Sequence, residues 1–171
     1  METERIVLRP WLDTDAEALY KYASNPEIGM CAGWAPHKSI EESLNVIKTD
    51  FNSDTIWAIV LKETGEAIGA IGYMPNTKVN LSDEDNEPVV GYWVGKPYWN
   101  RGICTEALQL MLTHVRETTN YKSLLCGHFL DNARSGRVMM KCGFVPTGKM
   151  TCDETLYAGD ERPIKIYRLK L

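Results

Sequence analysis

In the stretch YWNRGICTEAL, residues 98–108, an arginine and a glycine stand immediately before a run that reads as a helix. A helix N-terminus exposes unpaired N–H groups and about half a positive charge, so it receives anions. Gly102 has no Cβ to hold a phosphate away from the backbone, Arg101 adds a full charge, and Thr105 offers a hydroxyl within the first turn. Alone, these residues define a generic anion site, and a plain cap beside a solvated arginine fits them equally well. Two other phosphate loops are excluded, because the chain has no GxxxxGK[ST] and no GxGxxG following a strand.

Further groups able to do chemistry lie on both sides of that loop. Asn132 and Ser135 open a later helix, DNARSGRVMMKC, where asparagine suits the N-cap. Arg134, Arg137 and Lys141 on the same helix offer cations to a phosphate or to solvent. Glu87 precedes the apolar strand VVGYWVG and should face the same side as Val89, since strand side chains alternate with period two. It ends the acidic run SDEDNE with Asp83, Glu84 and Asp85, which is either a solvated turn or a lure for a cationic ligand. GWAPHKS, residues 33–39, presents Trp34 and His37, and histidine exchanges a proton near neutral pH or simply orders its loop.

The elements that must position these groups alternate in type. RIVLRPW, residues 5–11, reads as a first strand, and Asp13 is placed to cap a helix, DTDAEALYKYA, that stops before Pro26. Ser39-Ile40-Glu41-Glu42 reads as a capping box in which serine and glutamate satisfy each other's terminal backbone donors. Ile40, Leu44, Ile47 and Phe51 then form one helical stripe. IWAIVLK and AIGAIGYM flank the turn ETGE as a β-hairpin. After VVGYWVG (89–95) comes a helix with Leu108, Met111, Leu112 and Val115 on one face, then the strand SLLCGHF and the helix from DNARSGRVMMKC, ended by Gly143 as a left-handed cap. FVPTGKM and PIKIYRLKL supply the last strands. A hairpin followed by β-α-β-α alternation predicts an α/β or α+β fold, with a mixed sheet and helices on both faces.

Composition narrows the partners. The 171 residues suit one domain spanning 1–171, with 44% apolar and 25% charged residues. A formal net charge of −4 argues against direct nucleic-acid binding. No apolar run approaches the roughly 20 residues that cross a bilayer, and METERIVLRPW lacks the apolar stretch of a signal peptide. Cysteines 31, 104, 126, 142 and 152 have no CxxC spacing, so neither a disulfide framework nor a metal site is expected and a reducing cytoplasm fits best.

The order strand, WNRGICTEAL, helix, strand, NARSGRVMMKCGF resembles the GNAT superfamily of acetyl-CoA-dependent N-acetyltransferases. More narrowly the chain is similar to the Rim-type branch, which includes enzymes acetylating the N-termini of ribosomal proteins. TERIVLRPW, NPEI, GYWVGKPYWNRGICTEAL and a closing IYRL extend the resemblance over nearly the whole chain. It implies a mostly antiparallel twisted sheet with a V-shaped opening between VVGYWVG and SLLCGHF. The pantetheine of acetyl-CoA, as cosubstrate without a metal, would pair with the backbone of Tyr92, Trp93 and Val94. Its pyrophosphate would sit on Arg101, Gly102, Ile103, Cys104, Thr105 and Glu106, and Asn132 would bond the pantetheine. Ser135 would lie near the sulfur as acid for the leaving thiolate, and residues 33–39, with Trp34 and His37, would wall the acceptor site. The chain departs from the family in four places: Trp99 and Cys104 replace the usual loop ends, Met139 the usual tyrosine acid, and Val89 the usual strand carboxylate. Glu87 is then the candidate base, acting through a water, and backbone N–H groups near Trp93 and Val94 would meet the oxyanion.

Attack on a thioester requires a neutral amine. At pH 7 roughly a tenth of α-amines of pKa near 8 are neutral, against less than about 0.1% of lysine side chains. A site without an obvious base therefore suits a protein N-terminal α-amine or a small weakly basic amine. Partners expected on this reading are the amine acceptor and, in a homodimer, a second copy; a monomer is equally compatible. A different class also fits, a coenzyme A-binding sensor or scaffold without turnover.

Overall fold

The computed structural model describes residues 1–76, 81, 86–151 and 162–171. Its strands are β1 Ile6–Arg9, β2 Ile56–Leu61, β3 Ala67–Met74, β4 Val89–Val94, β5 Ser123–Phe129, β6 Val145–Thr151 and β7 Ile164–Lys170. The helices are α1 Ala16–Ala23, α2 Pro26–Ala32, α3 Ile40–Thr49, α4 Ile103–Thr118 and α5 Ala133–Lys141. The strands form one sheet in the order β1-β2-β3-β4-β5-β7-β6. Every neighbouring pair is antiparallel except β4 with β5. The mixed sheet expected from the sequence is thus present, mostly antiparallel and covered by helices on both faces.

Period-two alternation divides the core. Trp57 and Ile59 of β2 pack with Leu108, Met111 and Val115 of α4. Ala58 and Val60 pack on the other face with Leu19 of α1 and Ile47 of α3. The stripe on α3 is buried at Ile47, and Phe51 stacks on Trp11 with centroids 5.1 Å apart. Ile40 is exposed, against expectation. Among the described residues no helix is long and apolar enough to cross a membrane.

Two local expectations are corrected, and a helix is added. Asp13 does not cap α1: a short 3-10 turn, Asp13–Asp15, precedes it, and the Asp15 carboxylate accepts from the Leu12 amide at 2.9 Å and pairs with Arg9 at 2.6 Å. Helix α1 stops before Pro26 as expected, and Pro26 itself begins α2, where its missing N–H costs nothing. Asn25 caps α2 by accepting from the Glu27 amide at 2.9 Å. On α3, Ser39 Oγ accepts from the Glu42 amide at 3.2 Å as expected, but the Glu42 carboxylate reaches the Lys38 amide rather than that of Ser39.

The feature that matters for function is the β4–β5 pair. The two strands are in register only at Val89↔Leu125 and Val90↔Cys126. Beyond Gly91, β4 keeps its partner β3 as far as Gly69↔Val94, while β5 keeps β7 as far as Phe129↔Ile164. Each strand is fully paired on its outer edge, so the sheet opens between them as a V without breaking a ladder.

Candidate functional site

A cleft of about 680 Å³ passes through this V. On the α4/α5 face it is bounded by Tyr92, Gly102 to Thr105, Asn132 and Ser135, and on the α1/α3 face by Trp93, Trp34, Phe51 and Ile56.

Strand alternation decides which β4 groups face the opening. The Gly95 amide donates to Ile68 O of β3 at 2.8 Å. Residues of the same parity, Trp93 and Gly91, therefore turn their amides to β3, and those of Tyr92 and Val94 point into the V. Of the three residues expected to offer their backbone, Tyr92 and Val94 turn their amides into the V, whereas Trp93 turns its amide to β3. Val94 O accepts from Trp99 Nε1 at 2.9 Å, which leaves the Val94 amide as the group open to a ligand. A Cβ on Gly91 would meet nothing within 4 Å, whereas one on Gly69 would lie 2.2 Å from Trp93 O.

At the mouth of the V, Gly102 caps α4 at φ +77, and no side chain caps that end. The first intrahelical bond is Glu106 N to Gly102 O at 3.0 Å. The amides of Gly102, Ile103, Cys104 and Thr105 precede it and have no partner among the described residues. Glu106, expected in the same cradle, has its amide inside the helix and its carboxylate paired with Arg5 and Thr3. Arg5 also donates to Arg101 O at 3.1 Å, which fixes the loop. Arg101 itself turns its guanidinium over the Tyr98 ring, 5.7 Å from the centroid, so its charge lies outside the cleft lining. The cations that do line the cleft are Arg134, stacked on Trp99 at 4.2 Å, with Arg137 and Lys141. Cys104 is partly buried in the first turn of α4, and desolvation pushes its thiol up to about 12, so it remains a small inert group.

Asn132 is the N-cap of α5: its Oδ1 accepts from the Ser135 amide at 3.4 Å and its Nδ2 donates to Cys31 O of α2 at 3.1 Å. Ser135 is brought to β4. Its Oγ lies 3.0 Å from the Tyr92 hydroxyl, which also donates to Ser135 O at 3.0 Å. Burial holds the Tyr92 phenol well above the usual tyrosine range, so it stays a donor through neutral and mildly alkaline pH. The sequence pattern placed Tyr92 by its backbone and missed its hydroxyl. The signal was its parity: residues 90, 92 and 94 share the α4/α5 face with Ser135.

On the opposite face Trp34 meets Trp93 edge-on, centroids 5.7 Å apart, and His37 at 5.6 Å. Gly33 at φ +84 ends α2 and turns the chain so that the Trp34 amide donates to Gly29 O at 3.1 Å. His37 Nδ1 lies 2.8 Å from Ser43 Oγ, its amide donates to Ala23 O, and burial lowers its pKa. Both residues line the cleft.

Glu87 requires a correction. It is neither a solvated loop end nor a cleft group: 3% exposed, it pairs with Arg168 at 2.7 Å and accepts from Ser123 Oγ at 2.6 Å, at the paired end of β4 and β5. A carboxylate held between a guanidinium and a hydroxyl outside the cleft lining is not placed to draw a proton from an amine there. Asp83, Glu84 and Asp85 lie outside the described residues. The residue that sequence reasoning passed over is His128, 8% exposed, on the β5 bank of the cleft.

A family model described as acetyltransferase (GNAT) domain matches residues 5–145. The chain is similar to the uncharacterized N-acetyltransferase YoaA of Bacillus subtilis, 28% identical over 153 residues that span 86% of this chain and 84% of the relative. It is also similar to the ribosomal-protein-serine acetyltransferase of Escherichia coli, 27% identical over 90 residues, 53% of this chain and 47% of that one. Among solved structures, the microcin C7 self-immunity acetyltransferase MccE, in complex with acetyl-CoA and AMP, superposes with a TM-score of 0.81 at 21% identity, covering 99% of this chain and 94% of that one.

Proposed function

Because the chain belongs to the GNAT acetyltransferase family, whose members take the acetyl group from acetyl-CoA, we propose that this N-acetyltransferase delivers it to one weakly basic primary amine, a protein N-terminal α-amine or a small amine. The observation that carries this reading is the through-sheet cleft, with unpartnered amides at one mouth and an aromatic wall at the other.

The residues present fit acetyl-CoA. Four amides at the α4 N-terminus and three lining cations suit a pyrophosphate and a further phosphate. The inward amides of Tyr92 and Val94 suit an extended amide-bearing arm added as a strand. When bound, acetyl-CoA supplies an activated thioester carbonyl. The Val94 amide then polarises its oxygen. Tyr92 and Ser135 present a hydroxyl pair to the sulfur, and since Tyr92 resists ionisation, the pair stabilises the leaving group by hydrogen bonding. Asn132 fixes the first turn of α5 and so the direction of Ser135. Trp34, Trp93 and His37 wall the acceptor, excluding water from the attacking nitrogen.

Similarity to a ribosomal-protein-serine acetyltransferase favours the Rim-type branch and an α-amine. A thiol-release screen with N-terminal peptides, small amines of graded pKa and lysine derivatives tests this. Faster release with α-amines or low-pKa amines than with lysine supports it; the reverse order refutes it. Acetyl-CoA binding without thiol release from any amine would make the chain a sensor instead.

A further inference from the structure

We infer that the acceptor carries a long apolar or aromatic side chain beside its amine, seated in a hole in the sheet above Gly91; this deepens the proposed amine acetylation and rests on it. Gly91 stands in the middle of β4, a central strand, yet it is exposed, and a Cβ there would meet nothing within 4 Å. Its neighbours across the sheet are also glycines. Gly72 of β3 is its partner, and Gly127 of β5 follows the last registered pair, Val90↔Cys126. Those two positions are filled. A Cβ on Gly72 would fall 2.9 Å from Ile56 Cγ1 and one on Gly127 2.7 Å from Ile164 Cγ2, so both isoleucines lean inward over glycine. Along β4 the same face carries Val89 and Trp93. Four apolar side chains therefore border a gap one side chain wide, and all four line the cleft.

The direction of attack leads the acceptor to this gap. A thioester laid along β4 as an added strand, with its oxygen on the Val94 amide, holds its carbonyl plane near that of the sheet. Its two faces then look toward the two helical layers. Tyr92 and Ser135 occupy the α4/α5 side, which leaves the α1/α3 side to the nitrogen. Gly91 shares the parity of Trp93, so the gap opens on that same side, next to the Trp34–Trp93 wall. A side chain on the amine-bearing carbon lies against the Trp93 indole and enters the gap. The acetyl methyl stays in the plane of the strands. An acceptor with a small or polar side chain leaves the gap to water and forgoes the burial.

Peptides that differ only in their first residue, offered with acetyl-CoA and followed by thiol release, test this. Wild type should favour phenylalanine and leucine over glycine and serine at that position by about 10-fold or more in kcat/KM. In Gly91→Val the protein fills its own gap: the KM for the phenylalanine peptide should rise about tenfold, while the glycine peptide and acetyl-CoA affinity keep their wild-type values. Gly91→Ala, one methyl, should fall between. Equal kcat/KM across the wild-type series, or a Gly91→Val loss that is the same for the phenylalanine and glycine peptides, would overturn the inference. So would a Gly91→Val protein unchanged toward amines but selectively slowed with butyryl-CoA, which would give the gap to the acyl chain. Should Gly91→Val not fold, Gly91→Ala and the wild-type series decide. Thiol release without preference sinks only this inference, whereas no release from any amine sinks the proposed function.

Discussion

The two faces of the cleft are built on different principles. The α4/α5 face offers mostly backbone: the amides of residues 102–105 and of Tyr92 and Val94, with side chains serving to aim them. The α1/α3 face offers mostly side chains, Trp34 and Trp93 edge-on with His37 behind, gathered from the loop after α2 and from β4. A backbone site tolerates many sequences around one glycine, while a side-chain wall is as specific as its residues. On this account the first face fixes the donor and the second selects the acceptor.

The largest test of that division is Gly102→Asp, which puts a carboxylate among the free amides at a left-handed position. Acetyl-CoA affinity should drop by about 1000-fold in calorimetry, since both the anion site and its charge are lost. Undiminished affinity would remove the pyrophosphate from this loop. Next is Ser135→Ala, for which kcat should fall about 100-fold with little change in acetyl-CoA binding. Tyr92→Phe should follow in the same direction by a smaller factor, because Ser135 keeps its own hydroxyl.

Trp34→Ala probes the other face. The KM for the amine should rise about tenfold while acetyl-CoA affinity holds, because an aromatic contact and its buried area are lost on the acceptor side alone. A matching loss of acetyl-CoA affinity would mean the faces are not separable. The smallest effect concerns pH. Burial lowers the His37 pKa in the folded chain, so below about 6.5 the unfolded chain binds the proton first. Stability should decline as pH falls from about 6.5 toward the lowered folded value, and His37→Gln should flatten that slope in urea titrations at pH 7.5 and 5.5.

The same contrast governed what the sequence disclosed. Strands β2 to β5 and the α4 loop were legible, because apolar runs and a glycine before a helix are local signals. The Arg101 charge was misplaced because its stacking on Tyr98 is a contact no spacing announces. Glu87 was misread because its partner Arg168 lies on β7, 81 residues away. The Tyr92–Ser135 contact depends on how α5 packs against β4, and nothing in either element alone encodes that distance. Helix α2 was missed because Pro26, taken as a stop, also serves as a start.

The central claim is that acetyl-CoA lies on particular amides of an opened sheet. Amide hydrogen exchange with and without acetyl-CoA tests it most directly. Exchange should slow at Tyr92, Val94 and Gly102 to Thr105, while Gly91 and Trp93, already turned to β3, should change little. Unaltered exchange at Tyr92, Val94 and the α4 N-terminus in the presence of saturating acetyl-CoA would contradict it.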